Sequence, residues 1–205
     1  MGKGDQTRRA ICVAGMRIAS TEGLDAITIG QLAEQVGMSK SGLFAHFQSK
    51  EALQIALLEH GREEFIGGVI APALKAPRGR PRLESLFERW MSWNHSNETD
   101  EPPSDVYRGG CLFLRAAGQF DDRPGEVRDA LVRILEELLE FLEGTARQCI
   151  DEGHLSADSD PRELRFEIYS LVVGHHIHSR LFADQDAKSL TGKAFHRLLD
   201  QASPT

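Results

Sequence analysis

Apolar residues recur every three to four positions along most of the chain, and no stretch keeps the alternation of a half-buried strand. Over residues 6–22, Ile11, Ala14, Gly15 and Ile18 mark one side of a first helix, which Gly23 stops. "TIGQLAEQVG" follows, with Thr28 as N-cap and Gln31 three places on, the spacing of a capping box. Its apolar set is Ile29, Leu32, Ala33 and Val36, one face of a short second helix, and Gly37 supplies the left-handed residue that ends it. Ser39 caps a third helix that carries Gly42 in its first turn, with Leu43, Phe44 and Phe47 as core-seeking residues. Ser49 caps a long fourth helix, predicted to run to about residue 71.

The later pattern is helical too. Pro72, Pro77 and Pro81 interrupt "APALKAPRGRPRLESL", so the fourth helix cannot continue into the fifth. The fifth, at about 82–96, places Leu83, Phe87, Trp90, Met91 and Asn94 along one side. "VYRGGCLFLRAAGQF" (106–120) begins with a glycine pair and continues as a short apolar sixth helix. A seventh starts near Pro124 and reaches about 151, and Asp160, Pro161 and Glu163 signal an eighth through about 183. A ninth covers about 187–200. The expectation is an all-α protein of about nine helices, divided into a head at 1–53 and a larger body at 54–205, with the fourth helix connecting the two.

Two short helices joined by a glycine-containing turn, with a third behind them, form a helix-turn-helix, whose second helix enters the DNA major groove. This accounts for the bare outer side of the third helix. Gly42 costs about 1 kcal/mol of helix propensity relative to Ala, yet leaves room for close backbone approach. Lys40, Ser41 and His46 can donate hydrogen bonds, and Ala45 can touch a thymine methyl. An ordinary helical hairpin, with Gly42 serving helix packing, is the alternative reading of the spacing. The formal charge of −7 alone argues against nucleic acid, but it is unevenly spread. Residues 1–50 carry six basic residues (Lys3, Arg8, Arg9, Arg17, Lys40, Lys50) against four acids (Asp5, Glu22, Asp25, Glu34), a basic head on an acidic body.

"TIGQLAEQVGMSKSGLFAHFQSKEAL" resembles the N-terminal DNA-binding domain of the TetR family of transcriptional regulators, closely over about 7–60 and more weakly beyond. The resemblance implies phosphate contacts from Thr28 and Lys50 at helix N-termini, and base or backbone contacts from Lys40, Ser41, Gly42 and His46, beside Ser39 and Ala45. The chain departs from the family where Phe44 stands in place of a common tyrosine, and where Ala19 replaces a bulky aromatic.

For the body, the resemblance implies a small-molecule pocket among the middle helices and a dimer interface from the last two. Trp90, Met91, Trp93, Asn94, Tyr107, Cys111, Phe113 and His175 are the pocket candidates, with core packing the alternative for each. Two tryptophans beside a polar Asn94 would suit an apolar or aromatic effector with one polar group. Leu171, Val172, Leu198 and Leu199 are the candidates for the homodimer interface. The expected function is a ligand-responsive regulator, a repressor by family default, that binds palindromic double-stranded operator DNA as a dimer. A helical protein-binding adaptor is the alternative.

Other chemistry finds little support. "PRGRP" (77–81) matches the core of an AT-hook, or else a bend between helices with solvated arginines. His175 and His178 share a helical face, but two imidazoles without a third ligand do not make a zinc site, so no metal is expected. Cys111 with a helical histidine offers a nucleophile–base pair only in principle. No nucleophile elbow, phosphate loop or carboxylate pair accompanies it, so neither catalysis nor a cofactor is expected. Cys12, Cys111 and Cys149 are odd in number and widely spaced, as suits a reducing cytoplasm. No run approaches the ~18 apolar residues of a membrane helix.

Overall fold

The computed structural model describes residues 2–94 and 111–204. They contain no strand and form α1 (Lys3–Glu22), α2 (Ile29–Gln35), α3 (Lys40–Phe47), α4 (Lys50–Phe65), α5 (Arg80–Asn94), α6 (Leu112–Phe120), α7 (Glu126–Asp151), α8 (Pro161–Arg180) and α9 (Ala187–Gln201). After α4 the chain continues through a π-helical turn, Ile66–Ile70, and one α-turn, Ala71–Ala73. The contacts divide it into two compact units, one of Met1–Phe65 and His95–Leu135, the other of Ile66–Asn94 and Glu136–Thr205.

In the first unit the predicted apolar faces converge in part, with Ala14, Ile29 and Val36 only half-buried. Ile11, Met16 and Ile18 of α1, Leu32 and Ala33 of α2, Leu43 and Phe47 of α3, and Leu53, Leu57 and Leu58 of α4 are all buried. Gly15 sets the α1–α4 spacing: a Cβ there would lie 2.8 Å from Leu57 Cδ2. Ala19 is completely buried, so the small side chain at this point of family departure is part of a closed core. α6 packs on α1 and α4. Gln119 fixes it there, its Oε1 accepting from the Leu24 N–H at 2.9 Å, and Arg115 Nη1 donates to the Thr21 carbonyl at 3.2 Å.

The second unit is built on α5, the C-terminal part of α7, α8 and α9. Its core includes Leu83, Phe87, Trp90, Leu142, Cys149, Ile168, Val172 and Phe195. The sequence predicts one continuous fourth helix to about 71, whereas α4 proper ends at Phe65 and widens into the π turn. Gly68 lies within that turn, where a Cβ would approach Trp93 Cζ3 to 2.7 Å. The close approach to α5 explains glycine there, and π turns suit such local accommodation.

The "PRGRP" segment is the bend, and both its arginines are paired, Arg80 largely covered and Arg78 still exposed. Arg78 Nε lies 3.4 Å from Glu152 Oε1; Arg80 meets Glu84 and Asp200, each at 2.8 Å. These partners commit the arginines to their own unit, and they overturn the AT-hook reading, which needs them free on a flexible tail.

Candidate nucleic-acid interface

Three local devices build the helix-turn-helix. Thr28 is extended, and its Oγ1 accepts from the Gln31 N–H at 3.1 Å, which starts α2. Gly37 takes φ +66°, a left-handed conformation that lets the chain turn within a few residues. Ser39 then caps α3, its Oγ accepting from the Gly42 N–H at 3.1 Å and lying 3.2 Å from Ser41 Oγ. A Cβ on Gly42 would sit 3.1 Å from that capping oxygen. Glycine at 42 therefore has a reason inside the protein, in addition to any partner it approaches.

α3 has two distinct sides. Leu43 and Phe47 are buried, whereas Lys40, Ser41, Phe44 and Ala45 are exposed at i, i+1, i+4 and i+5. The core placement predicted for Phe44 is wrong: the residue is 51% exposed on this outer face, because the inward stripe of an eight-residue helix is already filled by Leu43 and Phe47. His46 is half-buried on the flank. The Lys40 stem crosses α2, with its Cε 3.0 Å from where a Cβ on Gly30 would lie.

Arg8 of α1 supports α3 from behind, a role the sequence does not suggest. Its Nη1 donates to the His46 carbonyl at 2.7 Å, and its guanidinium lies 4.6 Å from the centre of the Phe47 ring. Lys50 begins α4, where its Nζ donates to the Asp25 carbonyl at 2.6 Å and to Asp25 Oδ1 at 3.3 Å. Arg123 Nη1 holds the other oxygen of Asp25 at 2.8 Å. These hydrogen bonds, from Arg123 first and then Lys50, hold the Asp25 carboxyl below its ordinary 3.8. A lowered folded pKa contributes stability above the unfolded pKa and loses it as pH falls through the folded value. Asp25→Asn is therefore expected to flatten the loss of head stability below about pH 4. Amide exchange of α2 and α3 across the acid range would show this, and identical acid profiles would dismiss the linkage.

The body candidates are distributed between the units. Trp90 and Met91 are buried and Trp93 half-buried on α5, in the second unit. Cys111 and Phe113 are buried at the start of α6, in the first. Asn94 closes α5, though its side chain, like Tyr107, lies outside the described residues. Burial pushes the Cys111 thiol up, which disfavours the thiolate that nucleophilic chemistry needs. His175 is buried, its Nδ1 3.3 Å from Thr191 Oγ1, so it ties α8 to α9.

Two of the four predicted interface residues are misplaced. Val172 and Leu199 are completely buried inside their own unit. Leu171 and Leu198 instead line a surface groove of about 310 Å³ together with Phe166. On α8, just past its end and on α9, the exposed large apolar residues are Phe166, Val173, Ile177, Leu181, Phe182 and Leu190. A sequence signal existed: α8 is apolar on two sides, and only one is needed for the core.

A two-helix reading unit with a polar, aromatic-bearing outer face, carried on an all-α chain, defines a helix-turn-helix protein. The model of bacterial regulatory proteins of the tetR family matches residues 11–57, and that of the tetracyclin repressor-like C-terminal domain matches 79–195, more than half of the chain. The chain belongs to the tetR family of bacterial regulatory proteins. The HTH-type transcriptional activator FasR of Mycolicibacterium smegmatis is 26% identical over 89 residues, 43% of this chain and 41% of FasR. A TetR regulator from Chloroflexus aurantiacus has a similar fold, with a TM-score of 0.84 at 19% identity over 98% of both chains. AibR, solved with isovaleryl coenzyme A and operator DNA, gives 0.68 at 21% identity, covering 92% of this chain and 97% of AibR. The family is one of transcriptional regulators rather than enzymes. No helix among the described residues is long and apolar enough to cross a membrane.

Proposed function

We propose that the protein is a homodimeric, ligand-responsive regulator that reads a palindromic operator with α3. The observation that carries this reading is the exposed α3 face of Lys40, Ser41, Phe44 and Ala45, set over a fully closed core. Ser39 and Gly42 hold that helix's first turn, and Thr28 and Lys50 lie at the starts of α2 and α4, where helix N-termini favour phosphates. Lys50 already serves Asp25, so its phosphate contact would be shared with that pair. The functional head is placed at 1–53 and the effector-binding and dimerising body at 54–205. Trp90, Met91 and Trp93 supply an apolar surface for an apolar or aromatic effector; the DNA-bound protein represses, and its release from DNA on effector binding relieves that repression. DNA as partner places the protein in the cytoplasm.

Selection from a random duplex pool tests the reading and yields half-site, spacing and symmetry together. Lys40→Ala and His46→Ala are each expected to cost about 1–3 kcal/mol on the selected site and less on random DNA. Lys50→Ala should weaken all sequences alike and flatten the salt dependence. Equal losses on selected and random DNA for all three would remove base reading from α3. No DNA binding at all would favour the adaptor reading.

A further inference from the structure

In the first unit a cleft of about 490 Å³ opens between α1 and α4, and none of the exposed α3 residues lines it. Its floor is apolar, from Cys12, Ala52, Ile55 and Ala56, a volume and lining suited to a small molecule. His60 also faces it, although only 6% exposed, and its imidazole makes no hydrogen bond among the described residues. Burial lowers the His60 pKa, which keeps the ring neutral near pH 7 with one nitrogen able to accept.

The rim is negative. Four carboxylates, Asp5, Glu59, Glu63 and Glu126, face two arginines, Arg8 and Arg9. Both arginines are engaged elsewhere, Arg8 with the His46 carbonyl and Arg9 with Glu64 at 3.2 Å. Glu59 is paired with Arg133, whereas Glu63 and Glu126 are exposed and have no ion pair among the described residues. No group of three or more His, Cys, Asp or Glu among the described residues is arranged to hold a metal ion. An apolar floor, a buried acceptor and unbalanced carboxylates at the mouth match an organic ammonium carried on an apolar body.

We infer that this α1–α4 cleft binds a small organic amine in its protonated form, with the ammonium between Glu63, Glu126 and His60 and the apolar portion over Ile55 and Ala56. Arg8 gives the site a route to α3, since it borders the cleft and also holds the carbonyl of His46 in the last turn of that helix. A cation entering beside Arg8 repels its guanidinium and loosens that hold. The consequence for DNA rests on the proposed role of α3; binding in the cleft does not.

The test uses the full chain without DNA and 2-phenylethylammonium as the probe, with 2-phenylethanol and 3-phenylpropionate as its neutral and anionic counterparts. The amine is expected to shift the methyl resonances of Ala52, Ile55 and Ala56 and the His60 ring saturably at millimolar concentration. The alcohol and the carboxylate should not. Glu63→Gln and Glu126→Gln, both at exposed positions, should each weaken the amine roughly threefold, the order a half-exposed ion pair supplies. No saturable shift, equal binding of the three probes, or indifference to both substitutions overturns the site. Concerted movement of the His46 and Phe47 amides, lost in Arg8→Lys while the cleft still fills, supports the route to α3. Unmoved α3 amides in the saturated wild type overturn that route alone.

Discussion

Phe195→Ala is expected to lower the stability of the second unit by about 3–5 kcal/mol, the loss that follows truncating a buried aromatic that neighbours cannot replace. Phe195 is 1% exposed on α9, and its ring stacks on Phe87 of α5 with centroids 3.8 Å apart and planes 6° from parallel. Removing it empties a volume between two helices that meet through this pair, and the pair itself adds about 0.5–1.5 kcal/mol beyond area. Both tryptophans, Trp90 and Trp93, lie on α5 beyond Phe87, so urea unfolding followed by tryptophan fluorescence reports this unit directly. The comparison must be made at one protein concentration, because association would add to apparent stability. Phe195→Leu should lose less, since it leaves a smaller void. An unchanged midpoint for Phe195→Ala would mean that the α5–α9 contact is not part of the cooperative core.

The features legible in the sequence are those settled within three or four residues. Thr28, Ser39 and Asp160 each cap a helix by bonding a backbone N–H two or three places on, and Gly37 turns the chain by its own φ. The helix-turn-helix is therefore readable in outline. What escapes depends on partners far along the chain. The π turn answers to Trp93, twenty-five residues from Gly68, and α6 is seated by Gln119 on Leu24, ninety-five residues away. Lys50 looks like a free cation in the sequence because Asp25, its partner, lies across a loop and a helix pair. Facing errors have another cause. They arise wherever apolar residues are adjacent: Leu43 and Phe44 are neighbours, as are Val172 and Val173, and composition does not say which one turns inward. The α1–α4 cleft is unreadable for the same reason as the seat of α6, since Cys12, His60 and Glu126 meet only in the fold.

Ile177→Glu combined with Leu181→Glu is expected to make the protein monomeric at micromolar concentration and to weaken binding to a selected palindromic site by about 10²–10⁴-fold. Phe166, Val173 and Ile177 follow one another at seven and four residues along α8, a single helical stripe that Leu181 and Phe182 extend past its end. Phe166 and Leu181 are 71% and 72% exposed, an apolar surface that a solitary chain would leave in water. In a twofold dimer each residue of such a stripe lies near the same stripe of the partner, so two glutamates become four opposed, partly desolvated carboxylates. The fold itself should survive, because the inward side of α8, through Leu164, Ile168 and Val172, is untouched. Helical content by circular dichroism checks that. Each monomer would retain its α3 and so read one half-site, losing the gain of simultaneous engagement while keeping the residual contacts of a single head. Light scattering gives the mass, and fluorescence anisotropy on full and half sites gives the affinities. A double variant that remains dimeric would place the interface off this stripe. A monomer that still binds the palindrome as tightly as wild type would dispense with pairing altogether, and α3 would then have to find its specificity within one half-site.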